Sequence, residues 1–424
     1  MGSSSQGIFR RRAVDLITER LADEPVVAVQ GPRSVGKSVL LRGVASDHGV
    51  PVFDLDDPAT LAEVRADPSL YAASDRPVCI DEYQKAPETL AAIKSELNRE
   101  LSPGRFLLAG STTRDALPIL SEALTGRIHF LEVLPLSQGE ILGTEENLLE
   151  ELLRSPDDVI ASARSKPSST TREDYIEKIV AGGFPLALAR APRARGRWFE
   201  DYVRQTLERD VLALSRIRQG AQLRALLERL AGQTGQLLNM GMAASKLGMT
   251  QTKTEDYTKL LEAVYLVRRL PAWGKTLRSH AGMRPKIHVV DSGVAAHLLR
   301  LTQKKLGSLD PTAAQQFGHL LETFVVGELL KQASWLDGLN CGHWRVRDGG
   351  EADFVVEDDR GHVIGFEVKA SRQVHGKDFD GLKSLRNAVG QNFLAGIVLS
   401  LGERSYTYVP QMHVLPIDRI WTRN

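Results

Sequence analysis

Short apolar runs alternate with amphipathic stretches from about residue 8 to residue 140 of this 424-residue chain. The runs at 26–29, 78–80 and 106–109 are apolar on both faces, which is typical of strands buried inside a parallel sheet. The stretches between them have helical periodicity. This alternation predicts an α/β fold in which helices flank a parallel sheet.

The remainder of the chain has a different pattern. A stretch rich in Ser, Thr and Pro at 161–171 predicts a mobile linker or loop, and helical patterns continue to about residue 237. Residues 238–272 resemble a helix-turn-helix of the winged type, with a first helix ended by Gly248 and polar residues 250–254 opening the second. We place the domains at 1–145, 146–215 (a helical lid and linker), 216–305 and 306–424.

An eight-residue segment after the first apolar run fits the phosphate-binding pattern G-x-x-x-x-G-K-[ST] at every fixed position. A helix-like stretch follows it, so backbone N–H groups of the loop would face an anion at a helix N-terminus. We expect Lys37 to contact the β- and γ-phosphates of ATP and Ser38 to hold Mg²⁺. The predicted ATP-binding residues of this loop are Gly31, Pro32, Arg33, Ser34, Val35, Gly36, Lys37 and Ser38.

Two carboxylates, Asp81 and Glu82, come directly after the second apolar run. Open α/β sheets bind their ligands at the C-terminal edge of the strands, where both acids would lie. We expect Asp81 to hold Mg²⁺ through water in the ATP site and Glu82 to polarise the attacking water as the general base. The alternative is a pair of solvated acids in a loop.

Arg127 lies one helix after the third apolar run, near the predicted end of the first domain. An arginine supplied by a neighbouring subunit can stabilise the transition state of phosphoryl transfer. Arg127 is therefore the predicted arginine finger, with Arg114 as second choice, and it predicts a homo-oligomer that could form a ring. The alternative is a surface arginine at a helix C-terminus.

Basic residues are concentrated in the predicted winged-helix segment. From Lys246 to Lys286 there are nine Lys and Arg against three Asp and Glu, although the net charge of the whole chain is only +1. A local excess of this kind suits contacts to DNA phosphates. The alternative is a winged helix used for protein contacts. The predicted DNA-binding residues are Lys253, Arg268, Arg269, Lys275 and Arg278.

The C-terminal part contains a second group of charged residues. Segments 351–356 and 364–369 read as two strands of a hairpin. Glu351 and Asp353 share one face of the first strand and Glu367 and Lys369 share one face of the second, so these acids and the lysine can cluster across the hairpin. Together with Glu322 on an upstream helix, Asp353 and Glu367 could hold Mg²⁺ beside Lys369, as in two-acid nucleases. The alternative is a strand pair with an internal salt bridge.

Composition adds limits on the cellular setting. The chain is 42% hydrophobic and 25% charged, as expected of a globular protein, and it contains no apolar run long enough to span a bilayer. Its two cysteines, Cys79 and Cys341, are too few for a disulfide framework. These features predict a cytoplasmic protein without a membrane partner.

The motifs GPRSVGKS, IDEYQKAP, LLAGS, EADFVV and GFEVK resemble those of bacterial and archaeal AAA-type ATPases that carry a C-terminal restriction-endonuclease-like domain. The resemblance covers nearly the whole chain. It implies ATP hydrolysis and association with DNA, and it implies that Ser111, or Thr112 next to it, senses the γ-phosphate. An ordinary helix N-cap is the alternative for Ser111. Tyr83 stands where the family usually has an aliphatic residue, which affects no catalytic position.

These observations predict a P-loop ATPase domain with a parallel sheet, a helical and winged-helix middle, and a restriction-endonuclease-like α/β domain at the end. The predicted function is an Mg²⁺-dependent ATP hydrolase that works as an oligomeric motor on duplex or branched DNA, of the helicase or branch-migration type. One alternative is an ATP-gated, metal-dependent DNA endonuclease. The other is an ATP-driven signalling switch that does not touch DNA.

Overall fold

The computed structural model describes residues 9–113, 124–211, 220–274, 283–308, 310–346 and 350–422. Its first sheet has five strands in the order β2-β3-β4-β1-β5, and every neighbouring pair runs parallel. The predicted α/β fold with a parallel sheet is therefore confirmed. The strands are β1 (Val26–Gln30), β2 (Val52–Asp54), β3 (Val78–Asp81), β4 (Phe106–Gly110) and β5 (Ile128–Glu132).

Both faces of this sheet are buried. Val27 and Val29 of β1 belong to one apolar cluster, whereas Val26 and Ala28 belong to another on the opposite face. Successive side chains of a strand point to opposite faces, so a strand that is covered twice needs a continuous apolar run. The helices of this part are α1 (Arg12–Asp23), α2 (Lys37–His48), α3 (Pro58–Ala66), α4 (Pro68–Ala72), α5 (Glu88–Arg99) and α6 (Gln138–Leu142).

A helical region follows the first sheet. The prediction of a mobile linker or loop at 161–171 is wrong for its first part, because a helix extends to Arg164. Residues 165–171 do form a loop, and the hydroxyls of Ser168 and Thr170 anchor it by donating to Asp418 at 2.5 and 2.7 Å. The buried Asp418 carboxylate needs donors, and these two hydroxyls supply them. The helices are α7 (Leu148–Arg154), α8 (Pro156–Arg164), α9 (Arg172–Ala181), α10 (Pro185–Leu188) and α11 (Pro192–Gln205), continued by a π-helical turn at Thr206–Val211.

The next unit combines helices with a small antiparallel sheet in the order β6-β8-β7. Thr250 caps the longest helix of this unit by accepting from the backbone N–H of Lys253, as the polar start of that helix predicted. The helix before it ends at Ala244, short of the predicted Gly248. The elements are α12 (Gly220–Ala231), β6 (Gln236–Leu237), α13 (Met240–Ala244), α14 (Gln251–Ala263), β7 (Val267–Leu270) and β8 (Lys286–Val289).

The C-terminal part is a separate mixed sheet in the order β13-β14-β12-β11-β10-β9. The predicted hairpin is confirmed, because β10 and β11 pair antiparallel, whereas β11, β12 and β14 run parallel. Helices cover its two faces. The elements are α15 (Ser292–Leu298), α16 (Gln303–Leu306), α17 (Pro311–Ala333), β9 (Asn340–Arg345), β10 (Glu351–Glu357), β11 (Val363–Lys369), α18 (Asp380–Val389), β12 (Phe393–Ser400), β13 (Tyr406–Val409) and β14 (Met412–Pro416).

One apolar cluster joins all these parts. It extends from Ala13 in α1 through the helical region to Trp421 near the C-terminus. Trp421 lies edge-on to Tyr175 of α9 and to Phe324 of α17, with ring centroids 6.2 and 5.8 Å apart. The sheets are therefore packed against shared helices, and the limits between the predicted domains stay a prediction.

Candidate functional site

The phosphate loop lies where β1 enters α2, and its backbone depends on two glycines. A Cβ at Gly31 would lie 2.0 Å from the carbonyl oxygen of Val133, so a side chain has no room there. Gly36 is the N-cap of α2 and has a left-handed φ of 98°. Arg11 supports the loop from behind by donating to the carbonyls of Val35 and Leu134, each at 2.7 Å. These contacts fix the loop in advance.

Lys37 is buried at the start of α2 and folds back over the loop. Its Nζ donates to the carbonyl oxygens of Gly31 at 2.8 Å and Pro32 at 2.7 Å. Burial lowers the pKa of Lys37 to about 8, against the opposing attraction of Glu82 and Asp81. Among the described residues, this buried ammonium donates to neutral carbonyls, and a phosphate oxygen would provide a stronger charge-assisted bond.

Asp81 and Glu82 stand at the C-terminal edge of the sheet, as predicted. Asp81 is the last residue of β3 and hydrogen-bonds the Ser38 hydroxyl, while burial raises its pKa. Glu82 follows in a left-handed conformation with φ 54°, which turns the chain sharply out of the strand. The structure thus brings Ser38, Asp81 and Glu82 to the mouth of the phosphate loop.

Ser111 also belongs to this group. Its hydroxyl lies at the end of β4 and donates to Glu82 Oε2 at 3.2 Å. The amide of Gln84 donates to the same Glu82 oxygen and, at 3.2 Å, to Ser111 Oγ. Sequence reasoning missed Gln84, although a polar side chain two residues after the Glu of an Asp-Glu pair was a signal. The buried Thr112 hydroxyl has no hydrogen-bond partner among the described residues.

Arg33 connects the phosphate loop to the helical region. Its Nε contacts both carboxylate oxygens of Asp210 at 2.7 Å, in the π-helical turn after α11. Asp210 is buried, and burial raises its pKa even though Arg33 opposes that shift. No sequence signal pointed to Asp210, because 177 residues separate the two partners. A movement of the phosphate loop would therefore be transmitted through this ion pair to the turn that follows α11.

The residues present fit a nucleoside triphosphate with Mg²⁺. The donors of the loop and Lys37 suit phosphate oxygens, and the Ser38 hydroxyl beside the Asp81 carboxylate provides the oxygen ligands that Mg²⁺ prefers.

Arg127 lies away from this group in its own subunit. It immediately precedes β5, so it stands at the edge of the sheet opposite the phosphate loop, and it donates to Asn98 Oδ1 at 2.7 Å. Arg127 cannot serve the site of its own chain from that edge. The role in a neighbouring subunit stays a prediction, and Arg114 lies outside the described residues.

Comparison with protein families matches three parts of the chain. Residues 23–142 match a family described as an AAA domain. Residues 172–305 and 317–420 match two families that are each described as a domain of unknown function. The AAA match, together with the phosphate loop on a parallel sheet, supports ATP hydrolysis by the first part of the chain. The restriction-endonuclease-like identity of the last part stays a prediction.

Similar individual proteins include two uncharacterized relatives that match nearly the whole chain and two solved structures. An uncharacterized protein of Mycobacterium tuberculosis is 27% identical over 418 residues, covering 98% of this chain and 85% of that protein, and one of Mycobacterium bovis gives the same values. A Walker-type ATPase of Pyrococcus abyssi is 15% identical with a TM-score of 0.39, over 69% of this chain and 96% of that one. The RuvB Holliday junction branch migration motor of Thermotoga maritima is 19% identical with a TM-score of 0.29, over 61% and 88%.

The predicted DNA-binding side chains have partners within the chain. Arg268 forms an ion pair with Glu132 of β5, and Arg269 pairs with Glu255 at 2.7 Å and Glu262 at 2.9 Å. Lys253 donates to Gln222 and lies over the ring of Tyr257. Lys275 and Arg278 lie outside the described residues. Arg268 and Arg269 therefore form ion pairs within the chain, and their role in DNA binding stays a prediction.

A lysine that sequence reasoning missed stands among the predicted C-terminal metal ligands. The Nζ of Lys286, in β8, lies 2.8 Å from Glu322, 2.6 Å from Glu351 and 2.7 Å from Asp353. Burial disfavours its charge, but Asp353 and Glu322 outweigh burial and hold the pKa of Lys286 well above its usual value. A lysine that opens an apolar strand was the available signal. Within the described part of the chain, no group of acids, His or Cys is arranged to hold a metal ion.

The other two predicted residues form a pair beside this cluster. Lys369 Nζ donates to Glu367 Oε1 at 2.6 Å, which confirms that the two side chains share a face. Burial and the nearby Asp353 raise the pKa of Glu367 well above its usual value. Asp353 Oδ2 accepts from the backbone N–H of Val368 at 2.8 Å, so it is fixed on both oxygens.

No helix of the described ranges is both long and apolar enough to cross a membrane.

Substitution of Lys37 and Glu82 should separate binding from hydrolysis. Lys37→Ala removes the ammonium from the loop and should weaken ATP binding, whereas Glu82→Gln should leave binding largely intact and slow turnover by about 100-fold or more. Equilibrium ATP binding and phosphate release measure the two effects. Lys94→Ala, on the exposed face of α5, is the control and should behave as wild type. Wild-type turnover in both site variants would contradict the assignment.

A double-mutant cycle should detect the tie between the phosphate loop and α11. Arg33→Gln and Asp210→Asn should each lower the free energy of unfolding by about 2 kcal/mol, because a charged hydrogen bond is lost and its partner stays behind. The double variant should lose less than the sum of the two. The exposed pair Arg204 and Asp201, 2.7 Å apart, is the control and should show about 0.5 kcal/mol of coupling or less. Additive losses at Arg33 and Asp210 would mean that the contact carries no coupling.

Proposed function

We propose that this chain is an Mg²⁺-dependent ATP hydrolase that works as an oligomeric motor on DNA. The observation that carries the hydrolase is the convergence of Lys37, Asp81, Glu82 and Ser111 at one edge of the parallel sheet. These residues come from three separate strand ends, and ATP hydrolysis requires all of their chemistries in one place.

Each residue then has a separate role. The phosphate loop and Lys37 bind the phosphates, and Ser38 with Asp81 holds Mg²⁺, which when bound neutralises charge on the transferring phosphoryl group. Glu82 accepts the proton of the attacking water. Ser111 and Gln84 orient the Glu82 carboxylate through their bonds to Oε2, so they also position the base.

The site communicates with the rest of the chain through Arg33. A triphosphate in the loop would bring negative charge next to the Arg33 guanidinium, which is now held by Asp210. Competition between the phosphates and Asp210 for this arginine would change the docking of the turn after α11. That competition gives the hydrolysis cycle a mechanical output.

Support for the DNA part of the proposal comes from the element order of residues 220–289. Winged-helix domains typically have the order helix, strand, helix, helix and two strands, and this unit has that order with its sheet arranged as β6-β8-β7. The exposed start of α14, at Gln251 and Thr252, is where such a unit would meet duplex or branched DNA. The cytoplasm is the proposed location.

A second function is favoured by one specific observation. Arg268 and Arg269, two of the predicted phosphate donors, are already paired with acids of the same chain. A chain whose basic residues serve as internal ties fits an ATP-driven signalling switch that controls the assembly of protein partners and does not bind DNA. Nucleic acid dependence of the ATPase distinguishes the two functions.

ATP turnover should therefore be measured with and without single-stranded, duplex and branched DNA, while gels follow strand separation and cutting. The motor predicts a severalfold stimulation that weakens as salt rises, because phosphate contacts release counterions. Thr252→Glu should reduce the stimulation and leave basal turnover unchanged. Ser162→Glu adds the same charge to the exposed face of α8 and should have no effect. An ATP turnover rate that none of these DNAs changes would contradict the DNA motor and favour the signalling switch.

Arg127 provides the test of a shared active site. Arg127→Ala and Glu82→Gln should each be nearly inactive alone, but an equal mixture should regain activity at about a quarter of the interfaces, where an intact Glu82 meets an intact Arg127. Phosphate release before and after subunit exchange measures the recovery. Lack of recovery in mixtures shown to exchange subunits, or specific activity that persists in diluted monomers, would exclude a finger from the neighbouring subunit.

A further inference from the structure

Lys286 occupies the place in the C-terminal acid cluster where a divalent cation would have to bind. Its ammonium lies 2.6 to 2.8 Å from one oxygen each of Glu322, Glu351 and Asp353, which come from α17 and β10. Lys286 itself is 1% exposed. The acids are therefore already collected around a cation, and that cation is part of the chain.

A metal ion cannot share this position with the lysine. Mg²⁺ and Mn²⁺ bind carboxylate oxygens at about 2.0 to 2.2 Å and need the same oxygens that now accept from Nζ. Two cations within one cluster would also repel each other strongly in a buried setting. The predicted metal ligands Glu322 and Asp353 consequently do not fit a metal while Lys286 remains in place.

One carboxylate oxygen beside the cluster is nevertheless left over. Glu367 is 8% exposed, and its Oε2 has no hydrogen-bond partner among the described residues. Glu367 continues the cross-strand register of Phe354 with Phe366, which places it opposite Asp353. An unpartnered carboxylate oxygen at this depth is costly, and a bound cation would satisfy it. The cluster thus retains more acid than the lysine can satisfy.

We propose that Lys286 takes the place of a divalent cation in this acid cluster, so that the residues present do not hold a metal ion. The predicted ligands Asp353, Glu322 and Glu367 become available to an ion only when that ammonium is removed. The C-terminal part does not take up metal while β8 is docked, and it therefore does not cut DNA in that arrangement. This inference does not rest on the ATP hydrolase, because none of these residues lies in the nucleotide site.

The closing residue belongs to a different sheet from the acids. Lys286 begins β8, which pairs with β6 and β7, whereas Glu351 and Asp353 belong to β10. The neighbouring backbone holds the two sheets together, because His343 contacts the Arg284 carbonyl at 3.1 Å and accepts from the Trp273 N–H at 2.7 Å through its own carbonyl. The site is therefore closed by the way in which the middle unit packs on the C-terminal sheet.

Manganese binding to the full chain, without nucleotide, tests the proposal. Wild type and Lys286→Arg should show no Mn²⁺ site that depends on Asp353, as measured by electron paramagnetic resonance of free Mn²⁺ and by comparison with Asp353→Asn. Lys286→Met, which keeps an unbranched side chain and removes the ammonium, should gain one such site per chain. Adding Asp353→Asn to Lys286→Met should abolish it, whereas Mn²⁺ at Ser38 and Asp81 would survive in both.

Stability gives a second readout if Lys286→Met folds poorly. This variant removes the ammonium that contacts Asp353 and Glu322, so its melting temperature should fall in EDTA and rise again as Mn²⁺ is added. The melting temperature of the wild type should not respond to Mn²⁺ through Asp353. An Asp353-dependent Mn²⁺ site in the wild type would overturn the proposal by itself. So would a folded Lys286→Met that neither binds Mn²⁺ nor is stabilised by it.

Discussion

A charge buried in a protein must meet an opposite charge or several hydrogen bonds, and this constraint organises the whole chain. Lys37 meets the carbonyls of the phosphate loop, Arg33 meets Asp210, and Lys286 meets three carboxylates. Each of these contacts joins elements that are distant in sequence. Apolar packing holds the sheets together but does not fix their relative orientation. The buried charges do, because each one needs a particular partner on the facing surface.

The side chains at the mouth of the phosphate loop are positioned by the sheet and by the turns that follow its strands. The parallel sheet places three strand ends side by side, and a left-handed turn at Glu82 directs its carboxylate toward Ser111 and Gln84. Arg11 supports the loop from outside. The arrangement of Ser38, Asp81, Glu82 and Ser111 is therefore set by the fold, whereas Arg33 connects the phosphate loop to the helical region.

Contacts of the same kind connect the middle unit to both of the other sheets. Arg268 ties β7 to Glu132 of the first sheet, and Lys286 ties β8 to the acids of the last sheet. Residues that by composition suit DNA or metal thus act as joints between units. A metal ion or a nucleic acid that binds one residue of such an ion pair must break the pair and disturb the packing between the sheets. Binding at these residues therefore depends on the conformation of the chain.

The amino-acid sequence by itself determined the parallel sheet, the phosphate loop with Asp81 and Glu82, and the β10–β11 hairpin, because continuous apolar runs, glycines and strand alternation are local signals. It did not reveal Asp210 beside Arg33, Gln84 on Glu82, the anchoring of 165–171 to Asp418, or Lys286 among the acids. A lysine or an arginine gives the same signal in the sequence whether its side chain faces solvent, DNA or a buried carboxylate. Only the tertiary structure decides their partners, because electrostatic pairing depends on distances between elements that the chain order does not encode.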